Sequence, residues 1–228
     1  KGNGYAVRHV DSLETLRGLP NSELQEVAAV VIEPLIQGVN EMRPWPTGML
    51  TQLRAWCDAH GIQLILDEVM TGFRVSRDGW WGIEGKAEGW APDLFTFGKV
   101  IGGGMPLAAV AGSAEIMDLL APAGPVYQAG TLSGNPIAMA AGLAMLRHLD
   151  THPEVYTRLE AIGEELTAGI TRINSSLGLD YTLNKLGSMY SLFFTASPVT
   201  DFESAKKSDT QLFGRYFQSM LKRGVYLA

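Results

Sequence analysis

The sequence predicts an α/β fold, a mostly parallel sheet covered by helices, and three observations predict it. Short, wholly apolar runs alternate with amphipathic runs of helical period, the pattern of strand-helix-strand units. Two of the apolar runs, VAAVVIEPLI and IQLILDEV, end in acids, Glu33 and Asp67-Glu68. Helix stop and start signals such as Gly61 and Asn135-Pro136 then punctuate the joins.

Taken in order, VAAVVIEPLI is apolar throughout, as a strand covered on both faces must be. Thr47 is placed to cap a helix running to about His60, with Met49, Leu50, Leu53, Trp56 and Cys57 on one face and Gly61 as its stop. IQLILDEV follows at once and completes a βαβ unit, whose right-handed crossover brings Glu33 and Asp67 to the same sheet edge. A polar, Trp-rich stretch from Arg74 to Asp93 leads to the short run LFTFG, then Lys99, then the strand PLAAVAG. Ser113 opens a short helix. Asn135 as cap and Pro136 as first helical residue start a long one rich in alanine and glycine, a composition that implies close packing. An amphipathic helix from about Pro153 to Asn174, the strand MYSLFFT, a helix over about 201–222 and the run GVYLA make α+β material of a second kind. The predicted domain division is therefore 1–150 and 151–228.

Composition excludes several functions. With 46% hydrophobic and 18% charged residues the chain can bury a large core, and its net charge of -6 without a dense Lys/Arg run offers no footprint for nucleic acid or an anionic membrane. No apolar run approaches the roughly 20 residues that span a bilayer. Cys57 is the single cysteine, so no internal disulfide forms and a cytoplasmic location is expected. The four histidines lack metal-ligand spacing apart from His148 and His152, which flank an expected helix break, and no metal is assigned. The chain starts with lysine and stops in an apolar run, so a piece of a larger protein is expected.

Lys99 and Asp67 carry the candidate chemistry. Lys99 follows a short apolar strand and precedes Gly102-Gly103-Gly104, a place where an amine could form an imine with a carbonyl. Its neighbours LFTFG and VIGGGMP predict apolar surroundings, which favour the neutral amine. Asp67 sits at the carboxyl end of a buried strand, where open α/β sheets bind ligands, and an anion there suits the ring nitrogen of pyridoxal phosphate. A lysine beside glycines is more often a plain loop lysine, and adjacent acids are often a capped strand end; on a strand they point to opposite faces, so only one of Asp67 and Glu68 faces the cleft. Thr131 and Ser133-Gly134-Asn135 read either as ordinary helix capping or as a phosphate site at a helix amino end. Trp80 and Trp81 read as packing residues.

From about residue 27 to 150, the runs EPLIQG, LILDEVMTGFR, PDLFTFGKVIGGGMPLAAVAG and PVYQAGTLSGNPIAMAAGLAML resemble class III pyridoxal-phosphate aminotransferases. The last three are most similar to the aminomutase branch of that family, in which glutamate-1-semialdehyde becomes 5-aminolevulinate. The resemblance implies fold type I (aspartate aminotransferase-like), with the large domain over 1–150 and the start of a small α+β carboxyl-terminal domain over 151–228. It implies a homodimer with active sites at the subunit interface and pyridoxal 5'-phosphate as cofactor, alternating with pyridoxamine 5'-phosphate. By position, Lys99 would bond the cofactor covalently and Asp67 would face its pyridine nitrogen. Val69 would pack on the ring, and Thr131 with the Gly130 backbone would reach the phosphate held by the other subunit. The phosphate loop and ring-stacking aromatic would precede Lys1, and carboxylate-binding residues would follow Ala228. The implied substrate is a small amino acid or aldehyde, with no nucleic acid or membrane involved.

Two stretches depart from the aminomutase pattern. Leu35, Ile36, Gln37 and Gly38 look more like diaminopelargonate (biotin-pathway) aminotransferases, and the segment Arg77 to Trp90 is longer than in the aminomutase. A general class III aminotransferase acting on diaminopelargonate-type or omega-amino-acid substrates is therefore the alternative reading. A non-catalytic dimerising relative of the fold is the third, disfavoured because Lys99 and Asp67 are both retained.

Overall fold

A computed structural model describes residues 6–36 and 43–227, so Gln37 and Gly38 of the branch-specific stretch lie outside the described residues. The chain opens with two short helices that the apolar periodicity did not announce, α1 (Leu13–Arg17) and α2 (Asn21–Leu24). Ser12 caps α1 by accepting the Thr15 amide at 3.1 Å. Leu13, Leu16 and Leu19 turn inward onto the main core.

The first sheet follows. β1 (Ala29–Ile32) and a short hairpin of β2 (Leu35–Ile36) with β3 (Arg43–Pro44) precede α3 (Met49–His60), which leads into β4 (Gln63–Asp67). α3 buries Leu50, Leu53, Trp56 and Cys57 as the spacing predicts, and Gly61 ends it in the left-handed conformation at φ 66°. Its start differs from expectation. The N-cap is Gly48 at φ 75°, with no side-chain cap, so Thr47 does not supply it. The same helix buries Arg54, whose Nη1 pairs with Asp93 at 2.7 Å and Nη2 with Asp58 at 2.6 Å. Asp93 also accepts the Leu64 amide, tying helix, strand and the entrance to the next strand together.

α4 (Gly79–Ile83) and α5 (Gly85–Glu88) occupy the Trp-rich stretch, and β5 (Leu94–Phe97) runs into a 3₁₀ turn, Lys99–Gly102. β6 (Ala109–Gly112) closes a four-stranded sheet of order β1-β4-β5-β6. β1, β4 and β5 are parallel, with Ile32 opposite Leu66 and Asp67 opposite Thr96. β6 is antiparallel to β5, the one departure from the parallel pattern among the described strands of this sheet. Residues 98–108 contain only the 3₁₀ turn, and a parallel return needs a crossover of a dozen or more residues, usually a helix. β1 also departs from expectation: Val31 is 64% exposed, so the strand is not covered on both faces.

Ser113 caps α6 (Ala114–Met117), and Asn135 caps α7 (Pro136–Thr151) by accepting the Ile137 and Ala138 amides. The small residues of α7 permit close packing on the segment after Lys99. A Cβ on Gly142 would lie 2.7 Å from the Ile101 carbonyl oxygen and 2.4 Å from Leu107 Cδ2. His152 ends α7 with its ring stacked on His148 at 4.2 Å.

α8 (Glu154–Ser176) comes next, then a hairpin of β7 (Thr182–Leu186) and β8 (Met189–Phe193). β7 is mixed in polarity, TLNKL, which is why its apolar signal was weak. The single helix expected over 201–222 is two, α9 (Phe202–Ala205) and α10 (Thr210–Lys222), because Asp209 accepts the Leu212 amide and starts a new helix. Val225 to Leu227 form no strand. No described helix is long and apolar enough to cross a membrane.

Candidate active site

The site gathers where β1, β4 and β5 end together. Asp67 is the last residue of β4 and Thr96 its register partner on β5. Asp67 Oδ1 accepts the Thr96 hydroxyl at 3.0 Å and the Val69 amide at 3.0 Å, so two donors fix the carboxylate. Oδ2 has no hydrogen-bond partner among the described residues.

Glu68 points the other way, as strand alternation requires. It is 1% exposed, and its carboxyl group accepts the backbone amides of Trp80 at 3.0 Å and Trp81 at 2.8 Å and the hydroxyl of Thr71. Burial raises its proton affinity, and those three donors oppose the rise. Glu68 thus anchors the start of α4, and Gly79 makes room for it. A Cβ there would lie 2.7 Å from Glu68 Oε2, on a backbone at φ 68°. Trp80 and Trp81 pack as expected, Trp81 edge-on to Phe95. Their backbone role toward Glu68 has no sequence signature.

Lys99 lies one residue beyond Gly98 at the end of β5, with φ 46°. A non-glycine residue in the left-handed region costs roughly 1–2 kcal/mol and persists only where the surroundings impose it. Here the turn is held by α7 packed against its following residues. Its amine reaches back to the sulfur of Met70, three residues after Asp67, and the two predicted groups follow the carboxyl ends of neighbouring parallel strands. Lys99 is exposed, which departs from the expectation of apolar surroundings.

Val69 is half-buried and packs on Gly98, where a Cβ would come within 3.3 Å of it. Gly130 and Thr131 are exposed in the turn before α7, and no described contact joins them to Asp67 or Lys99 within one chain. Glu33, which the sequence placed at this edge, is indeed there, with its Oε2 buried and unpartnered. Burial and the charge of Asp67 push its carboxyl up to about 7, against the opposing pull of Lys99. Trp45, unremarked in the sequence, donates its indole N–H to the Glu33 carbonyl oxygen at 2.8 Å.

The backbone is that of the solved transaminases. A β-phenylalanine aminotransferase from Variovorax paradoxus superposes with a TM-score of 0.79 at 31% identity, over 94% of this chain and 49% of that one. A glutamate-1-semialdehyde aminomutase from Pseudomonas aeruginosa in complex with PMP gives 0.73 at 26% identity, over 91% and 47%. The fold is therefore fold type I, that of the aspartate aminotransferase-like enzymes. Residues 5–228 match the family described as aminotransferase class-III, and the chain belongs to that family. It is 49% identical to a glutamate-1-semialdehyde 2,1-aminomutase of Cytophaga hutchinsonii over 218 residues, which is 96% of this chain and 50% of that protein. The chain spans about half the length of the relatives it matches.

Proposed function

We propose that the full-length protein is a pyridoxal-phosphate-dependent aminomutase that converts glutamate-1-semialdehyde to 5-aminolevulinate. The observation that supports this reading is the placement of Asp67 and Lys99 at the carboxyl ends of adjacent parallel strands. The donor set fits pyridoxal phosphate: Asp67 keeps one carboxylate oxygen unpartnered while the other is fixed, and the Lys99 amine is exposed on the same edge. Bound there, the cofactor supplies an electron-withdrawing ring and a carbonyl carbon to which amino groups bond.

The chain's own residues divide the remaining work. Asp67, locked by Thr96 and Val69, holds a proton on the ring nitrogen. Val69 would pack against one face of the ring. Lys99 anchors the cofactor through Nζ and, when its amine is free, carries a proton to and from the substrate carbon bearing the amino group. Gly130 and Thr131, exposed ahead of α7, would hold the phosphate of the other subunit's cofactor. Such a homodimer agrees with the apolar side chains that β6 and α7 leave in solvent, Val110 at 55%, Ile137 at 66% and Leu143 at 51%. We assign residues 1–150 to the cofactor-binding large domain and 151–228 to the start of the small domain, and place the protein in the cytoplasm.

Incubation of the full-length protein with glutamate-1-semialdehyde, with no amine donor added, should yield 5-aminolevulinate. Absence of that product, with keto acid released when a donor is supplied, replaces the reading with a general class III aminotransferase. The higher TM-score of the β-phenylalanine enzyme is the observation that favours this second reading. Borohydride reduction and mass mapping test both: without an adduct on Lys99, a non-catalytic relative remains.

A further inference from the structure

The site contains a second acid that the chemistry above does not use. β1 and β4 are adjacent parallel strands with Ile32 opposite Leu66, so Glu33 and Asp67 leave the sheet side by side, on strands about 4.8 Å apart. Their environments differ. Asp67 accepts two hydrogen bonds, whereas Glu33 Oε2 is buried and accepts none. A buried carboxyl oxygen without donors favours the protonated form, and a neighbouring carboxylate favours it further.

The charged groups that face Glu33 come from three directions. Asp67 on β4 opposes its ionisation, and Lys99 on the 3₁₀ turn favours it. His9 and Asp11 share with it a cavity of about 590 Å³ between the amino-terminal segment and β1. Burial is the largest influence and acts in the same direction as Asp67.

We propose that Glu33 is a positioning residue of this site: buried at Oε2 without a donor beside Asp67, it holds a proton through part of the neutral range and so lessens the negative charge at the sheet edge. Two ionised carboxylates side by side would compete for protons, each opposing the other's charge. A neutral Glu33 removes that competition. The consequence for a ring nitrogen rests on the proposed function, but the protonation itself needs no cofactor.

Carbon-13 carboxyl shifts of labelled glutamate in the cofactor-free full-length protein test the proposal. Glu33 is assigned by the signal missing from E33Q or, if that variant fails to fold, from E33D. The expected midpoint is about 7. Removing the neighbouring charge in D67N should lower it by about one unit. A midpoint at the ordinary 4.5, or one indifferent to D67N, overturns the proposal. In the cofactor-loaded protein, the pH dependence of the ring absorbance should show a step at the Glu33 midpoint that E33Q lacks, and a step surviving in E33Q also overturns it. Since the titration uses no cofactor and the borohydride map reads only Lys99, failure of either leaves the other interpretable.

Discussion

Asp67 and Glu68 are chemically similar neighbours, yet the pleat gives them opposite tasks. Asp67 faces the ligand edge with one oxygen open, while Glu68 is buried and holds the Trp80 and Trp81 amides. Truncating Glu68 would leave those amides and the Thr71 hydroxyl buried without acceptors. Glu68→Ala should therefore cost about 2–4 kcal/mol in chemical denaturation. An effect below about 0.5 kcal/mol, the range of ordinary surface substitutions, would show that Glu68 does not anchor α4. The sequence predicted that the two acids separate, because alternation is a local rule. It did not predict which amides Glu68 would meet, because Trp80 and Trp81 reach it through a loop.

At the scale of elements, the turn carrying Lys99 depends on α7 as much as on β5. Gly142 lies where a Cβ would collide with Ile101 and Leu107, so a larger residue there pushes the helix off the turn. Gly142→Leu should destabilise the fold by about 1–3 kcal/mol. It should also weaken cofactor binding, measured by equilibrium dialysis, although Gly142 makes no hydrogen bond to Lys99 or Asp67. Unchanged affinity would mean that the left-handed turn at Lys99 is set by its own residues alone. The alanine- and glycine-rich composition of α7 announced close packing, but not its partner, which is fixed only by the antiparallel return of β6.

Two predictions belong to the whole molecule. Glu33 binds its proton more tightly in the folded state than in the unfolded one, with its carboxyl raised from 4.5 to about 7. Its contribution to stability is thus full below 4.5, declines as pH rises through that interval and is lost above about 7. Urea midpoints against pH should carry this decline in the wild type and lack it in E33Q, and parallel curves would remove Glu33 as its source. The second prediction concerns subunit exchange. If Thr131 serves the neighbouring subunit, K99A and T131A each disable binding or attachment alone, whereas a mixed dimer has one intact site. Mixing the two variants should restore a borohydride-trapped adduct in up to half of the sites of the mixed dimer. No recovery after verified exchange would place Thr131 in its own subunit's site or outside it.

The sequence by itself determined the alternation of strands and helices, the cap at Asn135, the stop at Gly61 and the edge shared by Glu33 and Asp67. These follow from periodicity, capping chemistry and crossover handedness, all of which act over short stretches or through one rule of topology. Only the tertiary structure decided the antiparallel course of β6, the break between α9 and α10, the exposure and left-handed backbone of Lys99, and the want of a donor at Glu33. Each of those depends on which groups from distant segments come within a few ångströms, and neither composition nor spacing encodes that distance.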